Sequence, residues 1–157
     1  MNKEQQYEQI ISYLNDSIKE NKRLHRLTLL SESVNLLKDA FPLMDWVGYY
    51  LEEESEGVLY LGPYTPGYDA CEEIKNDRGV CGKAYSDRKT QLTGNVHTLP
   101  YHIACSSTTE SEVVVPLLDG DKCYAVLDID SDTKDAFDST DVKYLEEIAS
   151  LIMQVRI

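Results

Sequence analysis

The chain has 157 residues, of which 42% are hydrophobic and 27% are charged, a balance typical of one globular domain with a buried core. Its formal net charge of -13 argues against nucleic acid and against anionic membranes, because both partners bind clustered Lys and Arg. We therefore expect a single domain over residues 1–157, with neither a nucleic-acid nor a membrane partner.

The apolar runs and the cysteines predict a cytoplasmic protein. No apolar run approaches the roughly 20 residues of a membrane span, and the polar N-terminus lacks the apolar core of a signal peptide. In that compartment cysteines are more often catalytic, metal-binding or buried than joined in structural disulfides. The four cysteines are irregularly spaced and form no C-x-x-C pair, so they match no simple zinc pattern.

Two helices are predicted before the first strand. Apolar residues recur at steps of three and four from Glu4 to about Lys38, with a break expected at Asn21. Pro42 ends the second helix, because the residue before proline is disfavoured in the α region. The apolar positions that define the two helices are Ile10, Ile11, Leu14, Ile18, Leu27, Leu30, Val34 and Leu37.

Strands follow the helices. Aromatic and β-branched residues over Trp46–Leu51 and Gly57–Leu61 predict an antiparallel hairpin that is joined by an acidic turn. Gly62–Gly67 is rich in turn residues, and Cys71–Ile74 is predicted to form a short edge strand.

The second half completes an α+β pattern. A short helix is predicted over Gly79–Asp87, and two strands over Val113–Leu118 and Cys123–Asp130 are joined by an Asp-Gly turn. Ser139 or Thr140 is expected to cap the terminal helix. The order predicts a central antiparallel sheet with N- and C-terminal helices packed on one face and a ligand pocket on the other.

Side-chain alternation gathers polar and aromatic groups on the pocket face. Trp46 and Tyr50 share one face of their strand, Glu112 precedes the next, and Asp128 and Asp130 point together on the last. Rings and carboxylates suit a small cationic or zwitterionic ligand. Spacing alone favours a simpler interpretation of the two aspartates, in which they end a strand and initiate a turn.

The cysteines leave several interpretations open. Cys123 begins an apolar strand and is expected to be a small buried hydrophobe. Cys81 follows a glycine at a predicted helix start, where the helix dipole favours a thiolate, although packing between two glycines also explains it. His102 lies three residues before Cys105 and could lower its thiol pKa. A zinc site is also chemically possible but matches no common motif. Its ligands would be Cys71, Cys81, His102 and Cys105.

The chain resembles the free methionine-(R)-sulfoxide reductases, enzymes built on a GAF domain. The matching segments run from the first strand to the final helix, in the order typical of that family, and include a set of three cysteines. They are Trp46–Tyr50, Leu61–Pro63, Gly79–Gly82, Asn95–His97, His102–Cys105, Ser111–Glu112 and Leu127–Ser131. Among the departures are one extra residue between Gly62 and Cys71, and Ser106 in place of a common acid.

The resemblance implies a thiol mechanism that needs no metal or other cofactor. Cys105 would attack the sulfoxide sulfur and become a sulfenic acid. Cys71 would resolve it as a disulfide that thioredoxin then reduces, with an auxiliary part for Cys81. Glu112 would supply a proton to the sulfoxide oxygen.

The resemblance also implies a binding site for the free amino acid. Trp46 and Tyr50 would surround the methyl-sulfur end of methionine sulfoxide, and Asp128 and Asp130 would hold its ammonium group. Amphipathic helices at both ends suggest a homodimer. The alternative is a non-catalytic GAF module that binds a small metabolite.

Overall fold

The computed structural model describes residues 1–156 as an α+β fold, and the predicted fold class is confirmed. Its α-helices are Lys3–Glu20 (α1), Arg26–Ala40 (α2), Gly79–Asp87 (α3) and Ser139–Ile152 (α4), and Val96–Thr98 forms a 3-10 helix. Its strands are Trp46–Glu53 (β1), Val58–Tyr64 (β2), Glu73–Lys75 (β3), Gln91–Thr93 (β4), Ser111–Asp119 (β5) and Lys122–Ser131 (β6).

The strands form one antiparallel sheet in the order β3-β2-β1-β6-β5-β4. The long strands β1, β6 and β5 therefore lie at its centre, and the three-residue strands β3 and β4 form its edges. β3 begins at Glu73, so the predicted strand at Cys71 is wrong at its start, because Cys71 belongs to the loop that precedes the strand.

The main core lies between one face of the sheet and the helices α1, α2 and α4, as predicted. Alternate residues of the central strands point into it and are fully buried: Val47, Tyr49, Val113, Val115, Leu117, Ala125, Leu127 and Ile129. The intervening residues face the other side, which α3 partly covers with Val80, Cys81 and Ala84. This division separates the apolar core from the face that carries the candidate site.

Two details of the helices differ from the sequence expectations. α4 is capped by Asp138, whose side chain accepts hydrogen bonds from the backbone N–H groups of Thr140 and Asp141. The predicted caps Ser139 and Thr140 lie in the first turn, because the carboxylate just before them is the stronger acceptor. Leu27, predicted on the apolar face of α2, is exposed in its first turn.

No helix formed by residues 1–156 combines the length and the apolar composition that a membrane span requires.

Candidate active site

The central strands place all five predicted binding side chains around one cavity. Trp46 and Tyr50 come from β1, Glu112 comes from β5, and Asp128 and Asp130 come from β6. The register brings them together, because Asp130 pairs with Trp46 on one side and with Glu112 on the other. Asp128 is buried in the cavity wall three residues before β6 ends, which the competing interpretation of the two aspartates as the end of a strand does not explain.

A glycine lets the indole lie flat along β1. A Cβ atom at Gly48 would collide with the ring of Trp46, so the ring occupies the space that any other residue would fill. The ring also lies beside Tyr50, with centroids 6.0 Å apart. The aromatic wall of the cavity therefore depends on both the period of the strand and this glycine.

Cys71 and Cys105 form a disulfide with their Cα atoms 5.3 Å apart, and Cys105 lines the cavity. Cys71 lies in the loop after β2 and Cys105 in the loop before β5, so the bond joins two segments 34 residues apart in sequence. Two of the four ligands of the zinc site considered from the sequence, Cys71 and Cys105, are bonded to each other and cannot bind a metal in this form.

Cys81 lies in the first turn of α3 and also lines the cavity, but it is a free thiol. The sequence expectation that the helix dipole makes it a thiolate is wrong. Burial raises the pKa of Cys81 well above its usual value, and the nearby carboxylates Asp128 and Glu112 raise it further. Cys81 is therefore held as a neutral thiol.

Burial and mutual repulsion raise the pKa values of the three acids of the cavity. Burial raises the pKa of Glu112 to about 8, and the charge of Asp130 adds to the shift. Burial, followed by the charge of Glu112, raises the pKa of Asp128, and burial followed by Asp128 raises that of Asp130. At neutral pH Glu112 therefore holds a proton that it can donate.

Unpartnered polar atoms of the cavity wall suit a ligand that has both an ammonium group and a hydrogen-bond acceptor, because an indole N–H donates and a carboxylate oxygen accepts. Trp46 Nε1 and Asp128 Oδ1 are buried, and neither has a hydrogen-bond partner among the described residues. Ligand-capable atoms of Cys81, Glu112 and Asp128 all lie within 4.8 Å of one another. This grouping could surround one small cation, and the ammonium group of an amino acid is such a cation.

The disulfide-bonded form encloses little free space. The cavity holds about 20 Å³, which is enough for roughly one water molecule. A molecule of the size of methionine does not fit this space, so residues around the cavity must move before it can bind. The disulfide joins two loops that both line the cavity, and its reduction would release that constraint.

Sequence reasoning missed the contact that His102 makes. Its Nε2 atom lies 3.5 Å from Glu112 Oε2, and both side chains are largely buried. Burial lowers the pKa of His102, so the ring faces the carboxyl as a neutral partner. The sequence relates His102 to Cys105 or to a zinc ion. The spacing of the residues does not indicate a partner ten positions later in the chain, such as Glu112.

Tyr50 has a second role that the strand pattern did not reveal. Its hydroxyl donates a hydrogen bond to the backbone carbonyl of Cys71 at 3.0 Å.

Cys123 is 1% exposed, and its thiol donates to the carbonyl of Ala125 at 3.3 Å. Its prediction as a small buried residue is confirmed.

The comparisons with known proteins identify the family. The model of a family described as GAF domain matches residues 27–155. The free methionine-R-sulfoxide reductase of Saccharomyces cerevisiae is 40% identical over 129 residues, which cover 78% of this chain and 71% of the yeast protein. This chain belongs to the GAF-type free methionine-R-sulfoxide reductase family. The family resemblance stated from the sequence is therefore confirmed.

Two further similar proteins also match most of the chain. Protein YtsP of Bacillus subtilis is 42% identical over 117 residues, covering 74% of this chain and 71% of that protein. The X-ray structure of the Neisseria meningitidis free methionine-R-sulfoxide reductase in complex with its substrate superposes with a TM-score of 0.89 at 35% identity. That match covers 98% of this chain and 90% of the Neisseria chain.

Proposed function

We propose that this protein reduces free L-methionine-(R)-sulfoxide to methionine with Cys105 as the nucleophile. The observation that carries the proposal is the bond between Cys71 and Cys105, because Cys105 lines the same cavity as an indole, a phenol and three acids. A cysteine pair that can form a disulfide beside a ligand cavity provides both the nucleophile and the thiol that resolves its sulfenic acid as a disulfide.

The first step transfers the sulfoxide oxygen to the enzyme. In the reduced protein, the Cys105 thiolate attacks the sulfoxide sulfur and forms a sulfur–sulfur bond, while Glu112 donates its proton to the oxygen and the S–O bond breaks to give hydroxide. Hydroxide then attacks the Cys105 sulfur and breaks the sulfur–sulfur bond. The thioether of methionine leaves with two more electrons than the sulfoxide had, and Cys105 is oxidised to a sulfenic acid. The raised pKa of Glu112 supports this role, because the carboxyl is protonated at neutral pH.

The second step restores the thiol. The Cys71 thiol attacks the Cys105 sulfenic acid, forming the disulfide and releasing water. Thioredoxin, as a dithiol, would reduce that disulfide and become a disulfide itself. Cys81 is a poor candidate for the attack because burial keeps it neutral. We therefore assign the resolving role to Cys71 and an auxiliary one to Cys81.

The acids on β6 account for a preference for the free amino acid. An ammonium group placed by Asp128 and Asp130 would offset the repulsion among the three carboxyl groups and satisfy the unpartnered Asp128 Oδ1. Trp46 and Tyr50 would surround the methyl-sulfur end. Peptide-bound methionine sulfoxide has an uncharged amide nitrogen, so it loses this interaction.

An activity assay with two substrates tests the proposal. Thioredoxin-coupled turnover is measured with free L-methionine-(R)-sulfoxide and, side by side, with the same residue inside a peptide. We expect turnover of the free amino acid alone. Equal activity on both would contradict the role of Asp128 and Asp130, and no activity on either would favour the non-catalytic GAF module.

Thioredoxin as the reductant, the homodimer and the cytoplasmic location stay predictions.

A further inference from the structure

The hydroxyl of Tyr68 joins the two loops that carry the bonded cysteines. It lies 2.8 Å from Thr109 Oγ1, 2.7 Å from Asp132 Oδ1 and 3.4 Å from Thr108 Oγ1. Tyr68 precedes Cys71 by three residues, and the threonines follow Cys105 closely. The contacts therefore connect the flank of one cysteine with the flank of the other.

The chemistry of the groups fixes the direction of these hydrogen bonds. An ionised carboxylate can only accept, so the single proton of the Tyr68 hydroxyl is donated to Asp132. The phenol oxygen must then accept from the hydroxyls of Thr109 and Thr108. Thr109 is 5% exposed and Tyr68 is half-buried. The bond to Asp132 is charge-assisted and therefore the strongest of the three.

Further hydrogen bonds extend this group towards Cys105 and towards the sheet. Ser106, the neighbour of Cys105, shares a hydrogen bond of 3.1 Å with the Thr108 hydroxyl. At the other end, the backbone N–H of Asp132 donates to Asp45 Oδ2 at 2.8 Å, directly after the central strand β6. We call the set formed by Tyr68, Thr108, Thr109 and Asp132 the loop clasp.

We propose that Tyr68 is a positioning residue for disulfide formation, and that the loop clasp holds the Cys71 thiol against the Cys105 sulfenic acid after the substrate has been reduced. This inference rests on the proposed function. The step it assists is the attack of Cys71 on Cys105, which forms one S–S bond and releases water.

The reason for such a device is the separation of the two cysteines. They lie 34 residues apart in the chain, on two loops that have no direct covalent bond to each other until the disulfide forms. Bringing two loops together costs conformational entropy, and a hydrogen-bonded tie raises the effective concentration of one thiol at the other. Tyr50 assists only through the backbone of Cys71, so the loop clasp supplies the side-chain link between the loops.

Tyr68→Phe tests the inference because it removes only the hydroxyl. Reduced protein is oxidised either with one equivalent of free methionine-(R)-sulfoxide or with hydrogen peroxide, which converts a thiol to a sulfenic acid and water. Rapid quenching in the presence of a sulfenic-acid trap separates trapped Cys105 from the disulfide. We expect disulfide formation to slow by about tenfold, the effect of losing one hydrogen bond to a charged group, and the trapped fraction to rise.

Two further variants make the result specific. Thr109→Val removes another hydroxyl of the loop clasp and should also raise the trapped fraction. Tyr60→Phe removes an exposed tyrosine hydroxyl on β2 that has no hydrogen bond within residues 1–156, and it should behave as wild type. Release of methionine in the first step should be unchanged in all three, which a general loss of structure would not allow.

The two oxidation experiments have outcomes that would contradict different claims. Wild-type disulfide rates in Tyr68→Phe, with either oxidant, would overturn the role of the loop clasp. If wild-type protein forms the disulfide with peroxide but releases no methionine from the sulfoxide, the proposed function fails. The peroxide arm would still decide whether Tyr68 positions Cys71.

Discussion

Glu112 on β5 and Asp130 on β6 face each other across the antiparallel ladder, so two carboxyl groups occupy one cross-strand pair. Such a pair destabilises a sheet when both groups are ionised, and the charge of Asp130 is one reason why Glu112 keeps its proton at neutral pH. Asp128, two residues earlier on β6, brings a third acid into the same cavity. The arrangement opposes folding stability at the centre of the sheet and is suited to a cationic ligand, which is typical of a functional site.

Asp130→Asn should therefore stabilise the ligand-free protein while weakening substrate binding. Removing one of three repelling acids raises the melting temperature, and losing its charge raises the KM for free methionine sulfoxide by about tenfold or more. Thermal denaturation and steady-state kinetics measure the two effects. Asp119→Asn, at the exposed end of β5, is the control and should change neither. A lower melting temperature together with an unchanged KM would contradict the account.

The stability of the protein should depend on pH through Glu112. Its pKa rises from 4.5 in the unfolded chain to about 8 in the fold. The folded protein therefore binds more protons between these values, so the contribution of Glu112 is full below pH 4.5 and is lost as the pH rises through about 8.

Glu112→Gln removes this titration. Relative to wild type, the free energy of unfolding of the variant should increase from pH 5 to pH 8 by an amount on the order of a few kcal/mol. Urea denaturation of the disulfide-bonded proteins at several pH values measures the difference. Wild-type and variant curves that stay parallel over that range would show that Glu112 has no raised pKa.

The same substitution should slow the first chemical step. Glutamine keeps the size of the side chain but has no acidic proton, so methionine release in a single turnover should fall by about 100-fold or more. The wild-type rate should in turn decline as the pH rises past about 8, where Glu112 loses its proton. Rapid-quench measurement of released methionine checks both. An unchanged rate in Glu112→Gln would remove Glu112 from proton donation.

Cys71→Ser should separate the two steps. We expect one equivalent of methionine to be released, followed by accumulation of a Cys105 sulfenic acid and loss of thioredoxin-coupled turnover. Mass spectrometry after trapping the sulfenic acid measures the intermediate. Cys81→Ser should still form the disulfide between Cys71 and Cys105. Sustained turnover in Cys71→Ser would mean that Cys81 resolves the intermediate.

Much of the site could be predicted from strand parity. A period of two places Trp46 and Tyr50 on one face and Val47 and Tyr49 on the other, and burial on both faces follows this rule. A strand pattern gives the face of a side chain but not its neighbour across the sheet. The pairing of Glu112 with Asp130 depends on register, which only the folded sheet fixes.

The loop contacts could not be predicted in this way. The hydroxyl of Tyr68 meets Thr109, 41 residues later, and Asp132, 64 residues later, and polar loop residues have no period that relates them. The thiolate expected at Cys81 failed for a different reason. The sequence indicates the helix dipole at Cys81, but the burial and the carboxylates that oppose a thiolate there arise only in the fold.

The most direct test of the central claim is a single turnover without any external reductant. Reduced wild-type protein and the variants Cys105→Ser and Cys123→Ser are mixed with free L-methionine-(R)-sulfoxide, and released methionine is counted per protein chain. The account predicts about one equivalent for wild type and for Cys123→Ser, and none for Cys105→Ser. Methionine release by Cys105→Ser at the wild-type rate would contradict it.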